Sequence, residues 1–351
     1  MVAFNCVKDL LRGYEVKKDG IQAASNMVVA PIVSATEFTG MADMTEVQLH
    51  KDPDYGRLEF TNVGRDVGVV IQGWTLLTDQ RAQDRTVPYA SLVAAKQNKL
   101  VPANCVESSQ PGHIQTAQVN PDDFMVLPPR LRFAALTTPE VRSSYSALWT
   151  KLDEWEGGSR SGHGTLRDFY SKHQTRLSEF MAQFEPVPQQ LGAIVFVNGQ
   201  IVSIDILPSY KSWKSMWRPL IRDSYGAEAM NLIAQGKAEQ LSYTLPYESI
   251  DSLDALETAF DQMSDQFVSD IRTESQRVVD LPISFEMTEQ IGALHLLNIE
   301  ADDWRGQGIA HGNDHMVYLS LVSGKAQRTT TRKASLQSLN REIYPTTGFE
   351  F

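Results

Sequence analysis

Two arginines and a glutamine stand at alternate positions of a polar block, Gln80-Arg81-Ala82-Gln83-Asp84-Arg85, set between apolar runs. Side chains of an extended segment alternate, so Arg81, Gln83 and Arg85 would share one face, and Gln80, Ala82 and Asp84 the other. Two guanidiniums flanking an amide present many N–H donors along about 7 Å of strand. Such a face suits a phosphate, a carboxylate or an amide-bearing ligand. The plainer alternative is a solvated turn or edge strand whose arginines pair with the chain's surplus carboxylates.

Acidic partners for such a face are sought further along. In Val101-Pro102-Ala103-Asn104-Cys105-Val106-Glu107, Cys105 and Glu107 fall on one face of a strand. A carboxylate does not activate a neighbouring thiol, which needs a cation or a His. Cys105 therefore reads as core, and Glu107 as the better polar candidate, with His113 near enough in sequence to join it. Asp205 interrupts the apolar strand Ile201–Leu207, where alternation groups it with Ile201, Ser203 and Leu207. A carboxylate in a covered strand must find partners or bear a heavy desolvation cost. It is either a structural anchor or a site residue. Arg218, Arg222, Tyr225 and Ala229 share one helical face, from which Arg222 can reach Asp205 or a bound anion.

Other signals are weaker. His311-Gly-Asn-Asp-His315 has the spacing of helical zinc ligands, but Gly312 and Asn313 disfavour a helix and the catalytic Glu of that pattern is missing, so no metal is expected. Gly157–Gly164 is glycine-rich without a Walker lysine. Neither a dinucleotide fingerprint nor a hydrolase elbow occurs in a suitable context.

Met27–Ile32, Val67–Leu77, Thr86–Val93 and Leu100–Glu107 read as strands. Tyr145, Leu148, Trp149 and Leu152 mark one face of a helix, and a second helix is expected over Leu166–Phe184. Asn198-Gly199 between two apolar runs is the signature of a two-residue hairpin turn. Trp213–Gln235 should be helical, with Pro219 near its start or kinking it, and Ser252–Ile271 carries a continuous apolar stripe. Ile283–Met287, Ala293–Ile299 and Met316–Val322 return to strand character. This order implies an α+β fold: a β-rich N-terminal part and a central hairpin packed with amphipathic helices, in one interwoven domain over residues 25–322. Residues 1–24 form an N-terminal extension and 323–351 a basic polar tail.

Composition sets the outer limits. Of 351 residues 42% are apolar and 21% charged, enough for a substantial core. A net charge of −11 opposes loose attraction to nucleic acid or anionic membrane, and no apolar run approaches the roughly 20 residues that span a bilayer. The first residues do not read as a secretory signal, so the cytosol is the expected compartment. Two cysteines are too few for a disulfide framework.

At this point a resemblance emerges. Gln80–Val87, then Ser91-Leu92-Val93, then Val101–Glu107 resemble the ARG and rhodanese-phosphatase-superfamily-associated protein domain. Ala82-Gln83-Asp84-Arg85 stands where that family has an Ala-Lys-Gln-Asn-Arg-like block, and Val101–Glu107 matches its Ile-Pro-Val-Ser-Cys-Val-Glu-like block. Leu148-Trp149, the hairpin Gly192–Asp205 and Ser224–Ala229 extend the likeness over roughly residues 25–322. Ser108-Ser109-Gln110-Pro111 departs from the family's Gly-Arg-Trp. The resemblance implies a setting linked to NAD and ADP-ribose, hence a phosphorylated, nucleotide-like ligand. No cofactor follows from it, nor whether the protein is an enzyme. On that expectation Arg81, Gln83, Arg85 and Arg222 bind the anion, and Glu107 and Asp205 serve as general acid/base or ribose-hydroxyl acceptors. The rival expectation is a non-catalytic assembly subunit or homo-oligomer, with Trp155, Trp213 and Trp217 as interface anchors.

Overall fold

The structure is a computed structural model that describes residues 4–54, 56–77, 84–106, 124–158, 166–239 and 252–325. Its frame is a nine-stranded antiparallel sheet. Eight strands follow one another in the order Glu15–Val16, Met27–Val33, Gln190–Val197, Gln200–Ile206, His315–Ser323, Trp304–His311, Leu294–Ala301 and Ser284–Ile291, and Gln22–Ala24 also pairs with Met27–Val33. The α+β expectation holds. Among the described residues, three smaller antiparallel sheets come from the segment between residues 47 and 126. The expected run Val67–Leu77 is two short strands, Gly68–Val70 and Trp74–Leu76. Gly73, at φ +76°, turns the chain between them.

Both faces of the large sheet are covered, which explains why its central strands are apolar throughout rather than alternating. On one face Met27, Val29, Ala193, Val195 and Leu296 pack beneath Trp213, Leu220 and Tyr225. On the other, Val28, Ile194, Phe196, Ile204 and Leu321 meet helix α1 (Val7–Leu10) and helix α7 (Leu253–Val279) through Val7, Leu10, Ile271 and Val278. Residues before 25 are thus built into the fold: Phe4, Val7 and Leu10 are buried, and two short strands join the sheet. No helix among the described residues is long and apolar enough to cross a membrane.

The hairpin forms as its turn dictates, with Asn198 at φ +51° and Gly199 at φ +70°. Its register holds a correction. Val195 pairs with Ser203 but Phe196 pairs with Ile201, so Val202 is the extra residue of a β-bulge. Strict alternation had grouped Ile201 with Asp205. The bulge instead turns Ile201 to the side of Ile204 and Ile206, and Val202 to the opposite side with Leu207.

Four helices complete the layer that matters for the site: α2 (Pro129–Thr137), α3 (Trp149–Trp155), α4 (Leu166–Met181) and α6 (Ala227–Ala234). Leu131, Trp155, Leu166, Phe169, Tyr170 and Met230 form their shared apolar centre. Before α6, helix α5 (Tyr210–Arg218) continues without a break into a π-helix, Pro219–Gly226. Pro219 was expected to start or kink a helix. Lacking an N–H, it widens the next turns instead, from i→i−4 to i→i−5 bonding. Gly226 closes this segment, where a Cβ would lie 2.8 Å from the Ile221 carbonyl oxygen.

Candidate functional site

Asp205 and Arg132 form the centre of a buried polar network. Pro129 occupies the first turn of α2, where its fixed φ suits helix initiation and its missing N–H is not needed. That helix carries Arg132 inward, with the side chain 1% exposed. Its guanidinium grips Asp205 bidentately, Nη1 to Oδ1 at 2.7 Å and Nη2 to Oδ2 at 3.1 Å. It also donates to the hydroxyls of Ser320 at 2.8 Å, Ser203 at 3.0 Å and Ser224 at 3.4 Å. The Tyr225 hydroxyl donates to Asp205 Oδ2 at 2.6 Å, and the Ser203 hydroxyl reaches the same oxygen. Burial works against the charge on Arg132, and Asp205 more than offsets it, so the guanidinium is held above its usual range. Burial pushes the Tyr225 hydroxyl well up, with Asp205 adding to the effect. With its oxygens committed on several sides, Asp205 behaves as an anchor.

A second cluster surrounds the first turn of α4. Asp84, Asp223 and Glu228 are fully buried, and each is capped by a partly exposed arginine. Arg167 Nε donates to Asp84 Oδ2 at 3.1 Å and its Nη2 to the other oxygen. Arg222 Nε donates to Asp223 Oδ1 at 2.6 Å. Arg130 Nε donates to Glu228 Oε1 at 2.5 Å, and the Trp155 indole N–H to Oε2 at 3.0 Å. The three arginine side chains are 17%, 17% and 29% exposed, so each keeps an edge toward solvent. Tyr170, one turn after Arg167, ties the group together. Its hydroxyl donates to the Asp223 carbonyl, and burial raises it well above the usual range, with the charges of Asp223, Arg222 and Glu228 all acting on it.

Two polar atoms in this cluster are buried without a described partner, Asp223 Oδ2 and Arg130 Nη2. Burial, only partly offset by Arg222 and Arg218, raises the Asp223 carboxyl to about 6. Glu156, beside α3, is raised to about 7 by burial and by the charges of Asp153 and Asp168.

The residues anticipated from sequence are distributed unevenly over these two networks. Arg81, Gln83 and Glu107 lie outside the described residues, as does His113. Arg85 is wholly buried, in a two-residue strand opposite Cys105, with Nη1 3.4 Å from the Cys105 sulfur. The expectation that Arg222 reaches Asp205 is corrected. On the π-helix, Arg222 pairs with its neighbour Asp223, whose backbone carbonyl accepts from Tyr170 of α4, whereas Ser224 and Tyr225 turn toward Arg132 and Asp205. The altered hydrogen-bond spacing removes the shared face that regular helical spacing gives Arg222 and Tyr225. Arg130, Arg132, Arg167, Asp223 and Glu228 were not singled out. The one available signal was Pro128-Pro129 ahead of Arg-Leu-Arg, a helix start that places two arginines on different sides.

His311 and His315 face each other across a tight hairpin, not along a helix. Among the described residues no group of three or more His, Cys, Asp or Glu is placed to hold a metal. Trp155 and Trp213 are buried, and Trp217 packs against the core. As interface anchors Trp155 and Trp213 are corrected: they serve the interior.

A family model for the ARG and Rhodanese-Phosphatase-superfamily-associated Protein domain (ARPP-1) matches residues 15–322. The chain belongs to that family, as its resemblance implied. Comparisons with curated proteins and with solved structures gave no match.

Proposed function

From this membership and the arginine cluster, we propose that the protein binds a phosphorylated, nucleotide-like anion in metabolism linked to NAD or ADP-ribose. The observation carrying the proposal is the set Arg130, Arg167 and Arg222, each fixed by a fully buried carboxylate around the first turn of α4. A guanidinium held from behind loses little further freedom when its outer N–H edge meets a ligand. Charge-assisted bonds to phosphate oxygens are the strong ones. Arg130 Nη2 is a buried donor without a described partner. Asp223 supplies a carboxyl able to exchange a proton beside it. Arg222 keeps the ligand-binding role expected from sequence, while Asp205 passes to a structural one.

The test is isothermal titration of the protein with ADP-ribose, with NAD and inorganic pyrophosphate as comparisons. Binding is expected, weakened by about 10–100-fold in Arg167→Ala and in Arg222→Ala, as fits loss of one charged hydrogen bond. Absence of binding at millimolar ligand, or affinity unchanged in both variants, would overturn the proposal.

A further inference from the structure

A trench on a different part of the molecule has the chemistry of a second binding site. Two adjoining cavities of about 260 and 360 Å³ share Tyr89, Arg142 and Asn298. At about 30 Å³ per water, the pair has room for a small molecule with solvent around it. One wall is the corner where Arg142 lies over the Tyr89 ring, 5.2 Å from its centroid. The other is formed by the strands Ser284–Ile291, Leu294–Ala301 and Trp304–His311.

The Ala90 N–H can only donate, and it meets Gln307 Oε1 at 2.5 Å. That leaves the Gln307 amide nitrogen as donor, and it meets Asn298 Oδ1 at 2.8 Å. The Asn298 side-chain nitrogen is therefore a donor of fixed orientation, with no described acceptor, on the wall of both cavities. Among the described residues Arg142 spends only its Nε, on a long 3.5 Å contact with the Tyr89 hydroxyl. Its terminal nitrogens and the Asn298 amide thus form a donor set facing one space.

Charge in the trench is balanced. In the smaller cavity Arg142 and Arg305 stand with Glu286 and Glu300, two of each sign, and Glu289 on the wall of the larger is offset by Lys99. Both oppositely charged pairs of the smaller cavity are loose. Glu286 acts on Arg142 only through space, and Arg305 Nε stays 3.6 Å from Glu300 Oε1. Glu289, by contrast, is fully used by Lys99 at 2.6 Å, the Ser91 hydroxyl at 2.7 Å and the Leu92 N–H at 2.9 Å. Loose pairs exchange at little cost for a ligand bringing one charge of each sign, whereas a ligand with a single net charge leaves one member unmatched.

We propose that this trench binds a free α-amino acid, its carboxylate held by Arg142 and the Asn298 amide and its ammonium by Glu286 or Glu300. The site is separate from the arginine cluster around α4. Each of the twenty free α-amino acids is titrated against the full chain by calorimetry and saturation-transfer NMR, with acetate, ethylammonium and inorganic phosphate as singly signed probes. At least one amino acid is expected to bind with a Kd below about 1 mM. Arg142→Ala, at an exposed position, and Asn298→Asp, which replaces the donor by an acceptor, should each weaken it by tenfold or more. Arg222→Ala should leave it unchanged. No amino acid binding, affinity indifferent to both trench variants, or equal binding of the singly signed probes would each overturn the proposal.

Discussion

Replacing Arg132 by Met tests whether the Arg132–Asp205 pair holds the two layers together. The substitution keeps the volume of the side chain's stem and removes five donor contacts, two of them to Asp205. Breaking a buried pair from one side typically costs about 3–5 kcal/mol, because the remaining charge is stranded. The two sides are not equivalent. In Arg132→Met, Asp205 keeps the hydroxyls of Tyr225 and Ser203 and can shed its charge by taking a proton. In Asp205→Asn the guanidinium stays charged at any working pH, so that variant should suffer the larger loss. The double variant Arg132→Met with Asp205→Asn strands no charge. Ser224 retains the Leu127 carbonyl at 2.7 Å, Ser320 retains Gln72 at 3.3 Å, and Ser203 retains the Leu321 carbonyl at 3.4 Å. Its cost should fall to roughly 1–3 kcal/mol, mainly for the buried amide nitrogen that takes the place of a carboxylate oxygen. Urea unfolding followed by tryptophan fluorescence at pH 7.5 and 5.5 measures all four proteins. The expected pattern is a coupling of at least about 2 kcal/mol, with Arg132→Met recovering stability at pH 5.5 and Asp205→Asn not. Strictly additive losses, or the opposite pH behaviour, would show that the reasoning is wrong.

Three further expectations follow from the same coordinates. Burial raises the Asp223 carboxyl from 3.8 to about 6, so between those values the folded chain holds a proton the unfolded chain has released. Stability from this group is therefore greatest below about pH 4, declines by up to about 3 kcal/mol toward pH 6, and is flat beyond. Urea midpoints of Asp223→Asn should lose that slope. Cys6 is partly exposed and Cys105 is fully buried, so a thiol alkylator at neutral pH should modify one site promptly and the second only after unfolding. Mass spectrometry counts the adducts, and prompt double labelling would contradict the packing around Arg85. In the hairpin turn Gly199 sits at φ +70°, where a β-branched residue is strained. Gly199→Val should lower stability by about 1–2 kcal/mol in the same urea assay.

Local pattern made the regular elements legible. The apolar stripe expected over Ser252–Ile271 is the helix Leu253–Val279, and Leu166–Phe184 is Leu166–Met181. The Asn-Gly turn placed the hairpin to within a residue or two. Elements whose pattern is blurred were missed. The strand Trp304–His311 contains Gly306 and Gly308, and Pro128-Pro129 looks like a break although it opens α2. Losing α2 meant losing Arg130 and Arg132, and with them the centre of one network and one arginine of the other.

For this protein the sequence alone established that Asp205, placed in an apolar strand, would need partners. That follows from desolvation, which acts on any charge removed from water wherever it sits. It did not establish who those partners are. Arg132 lies 73 positions away, and Asp84 meets Arg167 across 83. Contacts of that span depend on how layers stack. A single bulge at Val202 and a π-helical turn after Pro219 were enough to redirect side chains that local periodicity had assigned elsewhere. Periodicity is fixed by neighbouring residues, whereas pairing between layers is fixed by the packing of the whole core, and only the tertiary structure decides it.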